Sequence, residues 1–310
     1  MHLLSEPLNR DGEFWLPETP DHPSFGHLIF DPAVGITIKL LGSLRPFPDS
    51  FNETDVPGGV IHGRLEDGKA VSLFGCFRTS HQLTFGNGFP RETYRANLAA
   101  IGVQTGDLKA KTFRSATIGM AGLEAWLEKD WYPRTVVDAD TKTVSVHGHS
   151  PKKDAIFKGR RHSVFVNRFS NIEDQRRHVR ISAEADLKIQ RSDDQSIDWY
   201  MQQSALLGSF LSFCLAQPTK TEFFTLRVVD DNDATRFADV ELVYARIDQE
   251  KVDTDKAPLA PFSSLPKDAT KRWMHLYSKA KSAVRLVQEV QSAQVKYVNL
   301  RFLLAAQAAE

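Results

Sequence analysis

Residues Val179 to Ile189 alternate strictly between apolar and polar side chains. Val179, Ile181, Ala183, Ala185, Leu187 and Ile189 fall on one face, and Arg180, Ser182, Glu184, Asp186 and Lys188 on the other. A period of two predicts a strand with one buried and one wet face. The same period recurs along the chain. Gly26–Phe30 and Ile36–Leu40 flank Asp31-Pro32-Ala33-Val34-Gly35, whose residues favour a turn, and so predict a hairpin. Val60–Leu65 and Ala70–Phe77 flank Glu66-Asp67-Gly68-Lys69 and predict a second. Further strands are predicted over Glu92–Val103, Lys111–Ile118, Thr143–His147, Val164–Phe169, Glu222–Val229 and Ala238–Ile247. The last two are joined by Asp230-Asp231-Asn232-Asp233, which reads as a turn: it resembles a calcium loop by composition but lacks the Gly such a loop needs.

Helical spacing interrupts this pattern in few places. Leu123, Trp126 and Leu127 predict a short helix over Gly122–Leu127. Ile197, Tyr200, Met201, Ala205, Leu207, Leu211 and Cys214 predict a long one over Ser196–Leu215, with Asp194 or Ser196 to cap it and Pro218 to close it. The charged, Pro-containing stretch Gln249–Ser264 reads as a linker. Trp273, Tyr277, Ala280, Val284 and Val287 then follow at spacings of 4, 3, 4 and 3, a seam for packing against another helix. The polar run Gln291–Gln294 marks a bend, and Val298, Phe302, Leu303 and Ala306 carry a second helix. The helical pattern is still running at Ala305–Glu310, with no cap. The expected class is therefore α+β: a predominantly β body, sandwich or barrel-like, followed by a truncated helical segment. The expected domains are residues 1–248, subdivided near 150, then a linker at 249–264 and an incomplete helical domain at 265–310. Downstream residues, or a second copy in a homodimer, would cover the helical seam.

Composition narrows the function classes. Of 310 residues, 41% are hydrophobic and 25% charged, a globular balance. Lys+Arg and Asp+Glu are equal at 39 each, which argues against a dedicated polyanion binder but leaves local patches open. Cys76 and Cys214 lie in apolar surroundings and read as buried, reduced thiols; no CxxC occurs, so a thiolate zinc site has no basis. Met1–Pro7 has neither a basic region nor a long apolar core, and the apolar run Ala205–Ala216 is too short to span a bilayer. A cytoplasmic location with no membrane contact, no cofactor and no metal is expected.

Candidate chemistry concentrates in one basic segment. Lys152, Lys153, Lys158, Arg160, Arg161, Arg168, Arg176, Arg177 and Arg180 interleave with Phe157, Phe165 and Phe169. Cations bind phosphates and aromatic rings stack on bases, so nucleic-acid contact is one reading. Charge on the wet face of ordinary strands is the other. Lys158, Arg160, Arg161, Arg176 and Arg177 are the candidate ligand contacts. His147-Gly148-His149 places two imidazoles on one strand face without a third ligand, so a surface strand end is the simpler reading. Phe14-Trp15 reads as packing of an N-terminal strand rather than as an exposed contact. A glycan-binding protein would instead use a groove lined by Trp15, Trp126 or Trp131. No GxSxG, Walker-type loop, GxGxxG or HExxH is present, and no catalytic residue is assigned.

A family resemblance adds to this. Gly12-Glu13-Phe14-Trp15-Leu16-Pro17-Glu18, Gly26-His27-Leu28-Ile29-Phe30 and Gly35-Ile36-Thr37-Ile38-Lys39-Leu40-Leu41-Gly42 resemble the N-terminal domain of ApeA-type proteins. Thr93-Tyr94-Arg95-Ala96-Asn97 and Leu123-Glu124-Ala125-Trp126-Leu127 continue the likeness, and Arg301–Glu310 is similar to an early helix of the HEPN domain that follows in that family. ApeA-type proteins are bacterial anti-phage proteins. The resemblance implies a β-rich sensing or regulatory region ahead of a ribonuclease that uses an Arg and a His four to six residues apart. Arg78 with His81, and Arg272 with His275, are spaced too closely for that motif. The resemblance therefore implies a non-catalytic portion whose partners are a phage-derived trigger, protein or nucleic acid, and RNA. The alternative is a stand-alone nucleic-acid-binding module using residues 152–180.

Overall fold

The architecture comes from a computed structural model that describes residues 2–45, 56–82, 90–127, 134–138, 143–147, 152–175, 178–230, 233–244, 252–284 and 286. Strands make up 49% of it and helices are few, so the class is α+β and predominantly β, as the alternation predicts. The chain divides into two compact units, neither continuous in sequence. The first takes Met1–Ala116, Asp194–Ile197 and Glu222–Gln249; the second takes Thr117–Asp193, Asp198–Thr221 and Glu250–Glu310.

The first unit holds β1 (Leu8–Trp15), β2 (Ser24–Asp31), β3 (Gly35–Leu41), β4 (Val60–Leu65), β5 (Ala70–Phe74), β6 (Phe77–Gln82), β7 (Arg91–Ala96) and β8 (Leu98–Ile101). Its turns follow from local chemistry. Asp31 accepts the Ala33 N–H on its side chain at 2.7 Å and the Val34 N–H on its carbonyl at 3.1 Å, which closes β2 onto β3. Gly68, at φ 82, and the Asp67 carboxylate on the Lys69 N–H close β4 onto β5.

Two predicted strands break, and the breaks shape the unit. Ala70–Phe77 reads as one strand, yet it turns at Gly75, where φ is 64 and a Cβ would clash with the Asn97 side chain. Glu92–Val103 turns at Asn97, whose N–H donates to Phe74 O at 2.9 Å. The facing pair thus bends together. Beyond the bend β6 pairs with β7, and before it β5 pairs with β8. Since β4, β1, β2 and β3 run in order from β5 round to β7, the ladder closes on itself as a barrel. Phe14, Phe30, Ile38, Ile61, Leu73, Tyr94 and Ala99 fill it as one cluster. Phe14 is fully buried and Trp15 nearly so, in line with packing rather than an exposed contact. The chain later returns to this unit with β15 (Thr221–Asp230) and β16 (Asp233–Tyr244), and β16 pairs with β8.

Strand β9 (Thr112–Met120) leads into the second unit. There β10 (Arg134–Asp138) pairs with β11 (Thr143–His147), and β12 (Lys152–Lys158), β13 (His162–Gln175) and β14 (His178–Ser196) form a meander. The β13–β14 register is unbroken from His162↔Arg191 to Gln175↔His178, a ribbon roughly 43 Å long at about 3.3 Å per residue. The face of β14 expected to be wet is only partly so. Asp186 is 9% exposed and accepts the Asn167 amide N–H at 2.6 Å; burial raises its carboxyl above the usual range.

The long helix Ile197–Leu215 buries Tyr200, Leu207, Phe210, Leu211 and Leu215. Asp194, one of its two expected caps, pairs with Arg114 at 2.6 Å. The helix ends with Gln217 N–H on Ser212 O and Ala216 N–H on Phe213 O, both at 3.2 Å, a Schellman closure that holds Ala216 at φ 52. Residues 252–264 are fastened against this end. The Gln217 amide donates to Asp253 O at 2.9 Å and accepts Asp253 N–H at 3.0 Å, and Ala260 N–H donates to Cys214 O. A terminal helix, Ala269–Lys279, follows. Trp273 from the predicted seam packs against Phe210 and Phe213 of the long helix. The helical pattern is interrupted at Ala280, and the bend expected at Gln291–Gln294 lies outside the described residues.

Candidate functional site

The second unit contains a groove of about 600 Å3 between β12 and the segment that leads into the terminal helix. Its floor is apolar. Ile156 is buried, and Trp126 is 2% exposed, held by its Nε1–H on Ala260 O at 3.0 Å and by edge contacts with Phe210 and Phe262. Phe157 and Phe262 are half-buried in the walls. The rim is cationic: Lys158 from the end of β12, Lys267 from the approach to the helix and Lys271 from its first turn are all exposed.

Two carboxylates also line the groove, and each is held by cations outside the lining. Asp154 pairs with Arg168 and lies 3.7 Å from Lys152. Asp268 accepts from Arg272 at 2.7 Å, which holds its carboxyl below the usual range. Its side chain makes no cap to the helix it precedes. Lys158, Lys267 and Lys271 have no ion-pair partner among the described residues. The rim is therefore positive, above an aromatic floor.

This accounts for the basic segment residue by residue. Lys153 lies 3.9 Å from the Phe165 ring centre and 3.2 Å from the Gln190 amide oxygen. Arg168 and Lys152 are occupied by Asp154. These charges behave as ordinary strand-face charges. Lys158 lines the groove, while Arg160 and Arg161 sit in the β12–β13 turn, with Asp193 feeling the charge of Arg161. Arg176 and Arg177 lie outside the described residues. Near the turn, Arg191 clasps Asp193 with its Nε and Nη2 and covers the Trp199 ring at 4.6 Å. Sequence reasoning missed Lys267 and Lys271, because it counted charge only within one run; their proximity to β12 is a tertiary fact.

Other chemistry-bearing clusters are structural. In the first unit, His62 Nδ1 lies 3.2 Å from Ser72 Oγ. That hydroxyl donates to Val103 O at 3.1 Å and accepts the Thr105 N–H at 2.9 Å, so it is fully occupied and Ser72 is buried. It fastens a loop and offers no nucleophile. Glu92 is buried among Ser43, Leu44, Arg78 and Tyr94. Both cysteines are free and buried, and burial pushes each thiol up to about 12. Among the described residues, no three His, Cys, Asp or Glu side chains gather as metal ligands would, and no helix is long and apolar enough to cross a membrane. Trp15 is buried in the first unit and Trp126 in the second, so neither stands exposed as a sugar-stacking ring, and Trp131 lies outside the described residues.

Comparison with known proteins supplies the context. Residues 9–275 match the family model ApeA N-terminal domain 1. No curated protein and no solved structure matches the chain. The family match takes in the barrel, the β12–β14 meander, the long helix and the start of the terminal helix. By that match, which covers most of its length, the chain belongs to the ApeA N-terminal domain family, a region of anti-phage defence proteins.

Proposed function

We propose that this chain is the sensing and regulatory region of an anti-phage protein whose effector is a HEPN ribonuclease domain. The family match over residues 9–275 carries the reading. The cationic, aromatic-floored groove supports it, because a sensor needs a recess whose occupancy can be read by a neighbouring element. Here that element is the terminal helix, whose first turn forms part of the groove. Binding of a phage-derived trigger shifts the population of the helix between two positions and so releases the effector.

The test begins with the reading frame downstream of Glu310. The expected frame encodes helices with an Arg and a His four to six residues apart. In cells expressing that longer product, phage challenge should reduce plaque numbers and produce RNA cleavage after infection. A stop codon at this point with no such frame beside it would sink the proposal. So would unchanged plaque counts with the protein present at normal level.

A second reading is a stand-alone nucleic-acid-binding module. Its support is the exposed cluster Lys158, Arg160 and Arg161 at one turn. It predicts affinity that falls steeply with salt and is lost when Arg160, Arg161, Arg176 and Arg177 are reversed to Glu.

A further inference from the structure

We infer that the groove of the second unit binds a nucleoside phosphate, free or at the end of a strand. The phosphates sit on Lys158, Lys267 and Lys271, and the base lies against Phe157 or Phe262. This deepens the sensing reading by naming a ligand class for its site.

Three observations converge. First, three lysines from two separate segments line one cavity and none forms an ion pair among the described residues, although Asp268 feels the charge of Lys271. Gathering like charge opposes folding slightly, and an anionic occupant relieves it. Second, the acids in the lining do not cancel that charge, because Asp154 is neutralised by Arg168 and Asp268 by Arg272. A carboxylate-rich cation site is therefore not what the groove presents. Third, Phe157 and Phe262 both line the groove and are half-buried, each with one ring contact already made, to His162 at 4.8 Å and to Trp126 at 5.1 Å. A volume of about 600 Å3 lies within the roughly 300–1,000 Å3 usual for small-ligand sites. Lysines supply mobile point charges suited to a polyphosphate, and the rings supply a sequence-tolerant platform for a base.

The experiment is calorimetric titration of the 310-residue chain with four probes: ATP, adenosine, inorganic triphosphate, and a 5′-phosphorylated RNA tetranucleotide. At least one of ATP and the tetranucleotide should bind, and adenosine should not. Binding should weaken on the order of tenfold in Lys158→Glu and again in Lys267→Glu, as expected for loss of a charge-assisted contact. Both positions are exposed, so the unfolding midpoint should stay unchanged. Phe157→Leu should weaken ATP while sparing inorganic triphosphate. ATP binding at least as tightly as the tetranucleotide assigns the free nucleotide; binding of the tetranucleotide alone assigns a strand end. The inference is overturned if neither binds at millimolar concentration, if affinity survives both lysine reversals, or if inorganic triphosphate binds as well as ATP. Intact phage defence without nucleotide binding would remove this ligand and leave the sensing role standing.

Discussion

The buried carboxylate of Glu92 offers the sharpest test of what holds the first unit together. It is 1% exposed and sits on β7. One oxygen accepts the Tyr94 hydroxyl at 2.7 Å and the Leu44 N–H at 3.2 Å. The other accepts the Ser43 hydroxyl at 2.9 Å and Arg78 Nη1 at 3.4 Å. The carboxylate therefore ties the chain after β3 to β7 and to β6, where the barrel closes. Glu92→Gln keeps the shape but turns one acceptor oxygen into a donor, so two of the four donors lose their partner. Each lost bond costs about 1 kcal/mol net, a buried donor left unsatisfied adds about 1–3 kcal/mol, and Arg78 loses its counter-charge. For two orphaned donors the sum is about 4–8 kcal/mol, at or above the range of about 3–5 kcal/mol for breaking a buried pair and a large part of the roughly 5–15 kcal/mol that holds a protein folded. Urea unfolding of the intact chain, followed by circular dichroism, measures it. If charge compensation is the cause, Arg78→Met should cost less in the Glu92→Gln background than alone, with a coupling of at least about 1 kcal/mol. A Gln variant within about 0.5 kcal/mol of the parent, or strictly additive losses, would refute the argument.

Four further outcomes follow from the same structure. Burial lowers the imidazoles of His2, His62 and His162 below their ordinary value near 6.5, so the folded state keeps them neutral. Stability should be full above that value and fall as pH drops through it, and His62→Gln should flatten part of the fall; a curve flat between pH 7.5 and 5 would contradict this. Because burial disfavours the ionised form of Asp186, Asp186→Asn should leave the unfolding free energy at pH 7 unchanged or raise it by roughly 0.5–1 kcal/mol, and a loss beyond 1 kcal/mol would count against the assignment. Ala216 occupies the left-handed position of the Schellman closure, so Ala216→Gly should stabilise by up to about 1 kcal/mol in thermal unfolding, whereas destabilisation would show that the closure is not formed. With both thiols raised by burial, Cys76 and Cys214 should resist alkylation until the chain unfolds, and rapid native-state labelling would place them at the surface.

The hairpins were legible because their cause is local. Asp31 and Gly68 set turns through their own side chain or backbone, and the flanking alternation fixes which face is buried. The corners at Gly75 and Asn97 were not legible, because a pattern of β-forming residues runs through both. What bends them is a change of neighbour on the outer side, β4 beside β5 and then β3 beside β7 and β16 beside β8, a property of the closed barrel rather than of either segment. Asp186 shows the same limit: alternation placed it on a wet face, and Asn167 on β13 takes water's place. In the candidate site, Lys158 was visible as part of a charge run, but nothing in the run distinguishes it from Lys153, whose charge is spent on Phe165 and Gln190. Only the arrival of Lys267 and Lys271, more than a hundred residues later, does so.

That arrival depends on residues 252–264, whose charge and prolines suggest a free tether. Composition of this kind leaves a segment without a core of its own, but it does not prevent the segment from borrowing one. Gln217 supplies Asp253 with two hydrogen bonds in the manner of a strand neighbour, Cys214 receives the Ala260 N–H, and Trp126 holds the Ala260 carbonyl while packing on Phe262. Beyond this fastened stretch Trp273 completes the attachment against Phe210 and Phe213. The start of the terminal helix is therefore set by the long helix and by Trp126, and the family match, which runs to residue 275, takes in the same contacts. A ligand touching Lys267 or Lys271 bears directly on that start. Its influence on the helix is bounded by its difference in affinity for the attached and released positions, because equal affinity for both would move nothing however tightly it bound.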